Sequence, residues 1–309
     1  MDIAALRDFI AVVEAGSLTR AATALHVSQP AISQRMSQLE HDLDVRLLER
    51  GPRGIEPTEA GRTLYRDAQH LVRQFDRLAT SVGTDQHSVS GPVAVGLPST
   101  VAAQLAPPLY SWTKRNYPGV HLQLFESMSG YIQELLLRGR MDLAVLFRDD
   151  SAQRPAETPL YAEELYLVGD SRTPFADSEE VSLSALEGVP IVAPGARSNL
   201  RTLIERTFAA YGLTPEIVAD VESLAAMIHI ARSGEACTIL PLSSIDPRSE
   251  ETVGIHRIVE PVIERHVAVC TVAEFFRPRD AVEAVRQGII EVTASLAGNG
   301  AWRGIRLTG

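Results

Sequence analysis

The chain is 309 residues long, 45% hydrophobic and 22% charged, with a formal net charge of −10 at pH 7. That length holds more than one domain, and no apolar run approaches the roughly 18 residues that cross a bilayer, which excludes a helical membrane protein. Cys237 and Cys270 are the only cysteines; both sit in apolar stretches without metal or thioredoxin-like spacing, which predicts two reduced, buried thiols. Met1-Asp2 leads straight into a helical pattern, so the expectation is a cytoplasmic protein without a leader.

The first chemistry-bearing pattern is the run from Ser17 to Gln34. Leu18, Ala21, Ala22 and Leu25 recur at helical spacing, and so do Ala31, Ile32, Met36 and Leu39. Ser17 and Ser28 stand where an N-cap belongs, and Pro30 falls in a first turn, where its missing N–H does no harm. Two short capped helices joined by a tight turn predict a helix-turn-helix. The free face of the second helix offers Ser28, Gln29, Pro30, Ser33 and Gln34, with Ser37 beyond. Gln bonds adenine bidentately, Ser bonds a base edge or a phosphate, and Pro touches a thymine methyl, so these residues are the expected DNA readers.

Gly51, Pro52 and Gly54 then force a reversal between two short extended pieces, which predicts a wing. Arg50 and Arg53 lie on it, placed to reach phosphates or the adjoining minor groove. Arg20 and Arg35 are further candidates for the DNA side, and His26 in the turn is a structural residue or a phosphate contact. Net charge does not reveal the partner: residues 1–90 carry ten Arg against twelve acids.

At this point the sequence resembles the LysR-type transcriptional regulators. The resemblance is carried by Phe9, Gly16-Ser17-Leu18, Ala21-Ala22, Leu25 through Ser33, Leu39-Glu40, Leu43, Leu47 through Arg50 and Pro57 through Gly61. Within that family, Leu160 through Gly169 is similar to the nitrogen-assimilation-control branch. The resemblance implies double-stranded operator DNA as partner, a homodimer or homotetramer, and a small-molecule effector with no further cofactor. It also admits RNA polymerase as a partner.

Beyond Gly61, Leu64, Ala68, Leu71, Phe75, Leu78 and Val82 follow each other at spacings of four and three, a heptad seam. Pairing with a second copy would set two reading helices about 34 Å apart and predicts an operator with dyad symmetry. The alternative, a helix packed on its own domain, is left open by the pattern. The polar stretch from Gly83 to Gly91 predicts a hinge.

Strand and helix then alternate: strands at 92–97, 120–126 and 142–147, with helices running to Tyr117 and Arg138. A second such unit has strands at 189–193, 216–221 and 238–241 and helices at 200–211 and 224–232. Connecting strands are expected at 164–168 and 267–272. The family resemblance makes this a two-lobed α/β domain of the periplasmic-binding-protein kind. The expected division is a winged helix-turn-helix at 1–60, a linker and dimerisation helix at 61–90, and an effector domain at 91–309. Lobe I is expected near 91–162 and 266–309, lobe II near 163–265. The fold class is α+β and multidomain.

Ligands of open α/β sheets bind beyond the carboxyl ends of the strands, where helix N-termini offer free N–H groups. Ser99, Thr100, Ser127, Ser129, Phe147 and Asn199 occupy such ends, and the resemblance places the family's inducer contacts there too. A small anion suits them, with Arg201 or Arg148 as its counter-charge. Catalysis is not indicated. The eight His are scattered without ligand spacing, no nucleophile elbow or phosphate loop occurs, and no metal is expected. A solute-binding module without transcriptional action would explain residues 91–272 and leave the first sixty unexplained. An effector-independent regulator is the other alternative.

Overall fold

The computed structural model describes residues 1–51, 54–81, 89–148, 156–170, 175, 178–245, 253–271 and 280–308. The chain folds into two compact units, residues 1–88 with 137–140 and residues 89–136 with 141–309.

The first unit opens with α1 (Ile3–Ala15), α2 (Leu18–Ala24) and α3 (Gln29–Leu43). Each begins on a side-chain cap: Asp2, Ser17 and Ser28 accept the N–H of Ala5, Arg20 and Ala31. These bonds satisfy donors that the first turn of a helix otherwise leaves without a partner. The α2–α3 turn passes through His26, which takes the left-handed conformation at φ 55°. Phe9, Val12, Ala21, Ile32, Met36, Leu39 and Leu47 close over one another as the core.

A hairpin follows, β1 (Leu48–Gly51) against β2 (Gly54–Pro57), antiparallel with Gly51 opposite Gly54. Its register is fixed from below. Glu40 accepts the N–H of Leu47 and Leu48 at 2.7 and 3.0 Å, and Ile55 donates to the Gly16 carbonyl at 2.9 Å. The Thr58 hydroxyl donates to the Arg46 carbonyl at 2.7 Å and accepts the Gly61 N–H at 3.0 Å, which starts α4 (Glu59–Ser81). A Cβ at Gly61 would lie 2.0 Å from the Leu47 carbonyl oxygen, so only glycine lets α4 approach β1 this closely. The Pro57-to-Gly61 pattern is therefore a structural stitch between wing and helix. α4 begins at Glu59, inside the region assigned to the reading domain, and its first half packs on α1.

In the second unit, β3 (Gly91–Pro98), α5 (Ser99–Asn116), β4 (Val120–Ser127), α6 (Ser129–Leu137) and β5 (Leu143–Arg148) give the expected alternation, with β3 parallel to both β4 and β5. β6 (Glu157–Asp170) and β7 (Glu180–Ser182) come next. Then follow β8 (Pro190–Ala193), α7 (Asn199–Ala210), β9 (Glu216–Asp220), α8 (Leu224–Ser233), β10 (Thr238–Pro241) and β11 (Val253–Val259). The chain returns through β12 (Glu264–Cys270), α9 (Asp280–Gly298) and β13 (Ile305–Leu307). The sheet runs β4-β3-β5-β12-β6-β11-β7, with β10 and β13 also on β6, while β8 and β9 pair in parallel beside it.

Two differences from expectation bear on the site. The connecting strand expected at 164–168 spans Glu157–Asp170 and is antiparallel to all its partners, joining β12 and β13 through Glu164 and β10 and β11 from Leu165 onward. It is buried on both faces, so its apolar run has no alternation to mark its ends. Second, α5 starts at Ser99 and runs through Pro107 and Pro108, which lack the N–H groups of that turn. Burial of Val101, Leu105, Leu109 and Thr113 on one face holds it. Cys237 and Cys270 are buried thiols.

Candidate DNA-reading helix and effector cavity

α3 turns Ile32, Met36 and Leu39 inward, which leaves Gln29, Pro30, Gln34 and Ser37 exposed and Ser33 half-buried. Ser28 spends its hydroxyl on the cap, accepting Ala31 N–H at 3.4 Å. The arginines divide. Arg35 donates to Asp8, a buried carboxylate of α1, at 2.7 Å, and Arg20 donates to the Ala15 carbonyl. Both are engaged in holding helices together. The Arg50 side chain and Arg53 lie outside the described residues.

Along α4, the heptad seam splits. Ala68 is fully buried and Leu64 packs on the reading-domain core, whereas Leu71 and Phe75 are exposed to 41% and 50%. The Leu78 side chain and Val82 lie outside the described residues. The first half of the seam thus packs on its own domain, and beyond it Leu71 and Phe75 present apolar side chains to solvent.

Inside the second unit, the N-termini of α5, α6, α7 and α8 converge on a cavity of about 40 Å³, bordered by Ser99, Thr100, Ser127, Ser129, Phe147 and Arg265 among others. It meets a wider open groove at Ser99 and Leu224. Ser198 and Ser223 cap α7 and α8, but α5 has only Pro98 before it and no side-chain cap. Its leading N–H groups are left for whatever enters the cavity. Met128, Leu200, Met227 and Leu240 make the rest of the lining apolar. At about 10–15 Å³ per water, the space takes a few non-hydrogen atoms.

Residues 3–62 match the model described as "Bacterial regulatory helix-turn-helix protein, lysR family", and residues 86–293 match "LysR substrate binding domain". This chain belongs to the LysR family. It is similar to the nitrogen assimilation regulatory protein nac of Klebsiella aerogenes, 34% identical over 245 residues and 79% of each chain. The protein of that name from Escherichia coli (strain K12) is 31% identical over the same shares. Among solved structures, full-length CbnR complexed with its target DNA is 26% identical with TM-score 0.62, covering 95% of this chain and 100% of that one. A full-length OxyR variant from Pseudomonas aeruginosa shares the fold at TM-score 0.64 and 23% identity, over 94% of this chain and 97% of that one. The protein is a LysR-type DNA-binding transcriptional regulator with an effector-binding domain.

Within this LysR regulator, five of the seven expected effector residues border the cavity: Ser99, Thr100, Ser127, Ser129 and Phe147. Asn199 stands beside it and donates to the Phe147 carbonyl at 3.4 Å, a bond from α7 to β5. Arg201 does not border it. Its guanidinium is engaged by Glu205 at 2.6 Å and Asp220 at 2.8 Å. Burial lowers its pKa, yet these two carboxylates carry it above the ordinary value. Arg148, the other cation considered, holds Glu157 through both carboxylate oxygens at 2.9 and 2.5 Å.

The cation that does border the cavity is Arg265, which lies in β12 ahead of the strand start expected at Val267. Its guanidinium carbon lies 3.6 Å from the centre of the Phe147 ring, a close cation–π contact. It pairs with Glu163, directly opposite in the β6–β12 register. Nothing local marks the pair, because Glu163 is flanked by Glu164 and Arg265 by Glu264 and His266, each a charged or polar neighbour. Among the described residues no group of three or more His, Cys, Asp or Glu is placed to hold a metal, and no helix is long and apolar enough to cross a membrane.

Proposed function

We propose that this regulator binds a dyad-symmetric operator as a dimer of reading heads, with Gln29, Pro30, Ser33 and Gln34 at base edges, Ser28 at a phosphate and Arg50 and Arg53 on the backbone. Four of the polar groups of α3 stand on one solvent-facing surface, and the exposed Leu71 and Phe75 supply a surface for pairing. Full-length CbnR, a similar protein, has been solved on its target DNA. Dimers would associate further as homotetramers, acting in the cytoplasm and on RNA polymerase at the promoter.

The effector domain would bind a small anionic molecule in the cavity. The observation that carries this is the uncapped N-terminus of α5 beside Ser99, Thr100 and Ser129, close to the buried Arg265. No cofactor is required. A ligand that favours one lobe geometry shifts the population of DNA-bound states and the bend imposed on the operator.

A salt-titrated anisotropy assay tests the DNA reading, using duplex from just upstream of the protein's own coding region against random duplex of equal length. The expected result is binding to the upstream duplex at least about a thousandfold tighter than to random DNA. Arg53→Ala should weaken both equally and lower the salt slope by about one. Binding to neither duplex at low salt would overturn the reading.

A further inference from the structure

Glu163 and Arg265 are the most deeply buried ion pair among the described residues, with side chains 2% and 3% exposed. They sit where β6 exchanges the partners of lobe I for those of lobe II, between Glu164 and Leu165. The geometry is lopsided. Nε and Nη2 of Arg265 both donate to Oε1 of Glu163, at 2.7 and 2.6 Å, while Oε2 has the Ser243 hydroxyl at 3.5 Å. Nη2 also donates to the Thr100 hydroxyl at 3.3 Å, and Nη1 takes part in none of these bonds. Thr100 and Phe147 belong to lobe I; Ser243 follows β10 in lobe II and is tied back to α5 by Gln104, which donates to its carbonyl at 2.8 Å. One ion pair is therefore touched from both lobes.

Arg265 is also the only cation among the described residues that border the cavity. We propose that Arg265 is the residue that senses the anionic group of the effector, and that Glu163 is a tethered competitor for it. This rests on the effector reading above. A carboxylate entering beside Thr100 bonds Nη1 and draws the guanidinium from Glu163, which weakens a buried polar contact that both lobes share. Glu163 then sets the ligand class. With the guanidinium already neutralised, only helix N-termini and one spare nitrogen remain to offset charge, so the site suits a single carboxylate on a molecule of few atoms and rejects a dianion.

The test uses full-length protein with Trp112→Phe, which leaves Trp302 as the sole tryptophan. Trp302 packs with its ring tilted against Tyr161, two residues before Glu163, with ring centres 4.9 Å apart, and so reports on this strand. Sodium formate is titrated against sodium chloride at equal ionic strength. Glu163→Gln should bind formate at least tenfold more tightly than the parent, and the double variant Glu163→Gln with Arg265→Gln should not respond. An equal response in parent and Glu163→Gln, or one that survives in the double variant, would overturn the proposal. If Glu163→Gln folds in formate but not in chloride, that supports it. If it folds in neither, the parent is compared with the double variant: a saturable response lost in the double is expected, and identical behaviour overturns it. Operator anisotropy on the same samples separates the two readings. A formate response that leaves DNA binding unmoved refutes the effector reading alone.

Discussion

Gln29 is exposed at the start of α3, with its backbone set by the Ser28 cap, so its amide is free to meet a base edge without first breaking an internal bond. Gln29→Ala should cost about 1–3 kcal/mol on the operator and nothing on random duplex; equal losses on both would show a backbone contact instead. Glu164 is a residue of the opposite kind. Arg257 grips it through both oxygens at 2.7 and 2.9 Å, and those bonds hold its carboxyl below the ordinary value. A depressed carboxylate pKa stabilises the fold above the ordinary value of about 4.3 and stops doing so as the pH falls through the folded value. Glu164→Gln should therefore lower Tm at neutral pH, with the gap to the parent closing in acid. At this scale the sequence is legible where one residue does one job, as with the three helix caps. It is silent where a side chain is claimed by a partner far along the chain. Nothing near Arg35 announces Asp8, and nothing near Arg201 announces Asp220.

Helix α4 shows why an apolar repeat can be right about spacing and incomplete about partner. A seam long enough for a coiled coil is shared between two neighbours, the reading-domain core at Leu64 and Ala68 and solvent at Leu71 and Phe75. Replacing Leu71 and Phe75 together by Ser should shift the full-length protein toward monomer in sedimentation while the reading head keeps its stability. Ala68→Leu should do the reverse, overpacking α1 by about 1–3 kcal/mol without touching self-association. The strands are legible to a different degree. Parallel strands β3 and β5 read directly from apolar runs bounded by Pro, Ser and Asp. β13 did not, because only three residues pair and their register on Tyr161 to Glu163 is set by the burial of Trp302, one turn earlier.

Across the whole molecule, the two units carry separate duties, and their sequences were legible in proportion to how local their contacts are. The reading head is three helices and a hairpin whose bonds mostly close within a few dozen residues. The effector unit is held by pairings that span about a hundred, such as Glu163 with Arg265 and Glu164 with Arg257. Its tail is part of that frame: Trp302 is 2% exposed and packs on Tyr161, whose phenol burial raises well above its ordinary pKa. Trp302→Ala should destabilise the protein by about 3–5 kcal/mol in denaturant titration, with operator preference retained by whatever fraction stays folded. The longest strand carries a further consequence. β6 is stitched into one lobe by its first half and into the other by its second, and β12 returns beside it. Neither lobe owns a complete sheet, so neither can be inherited, excised or exchanged as a cassette. A lineage that acquires a new ligand specificity must do so by point changes around a frame it keeps whole.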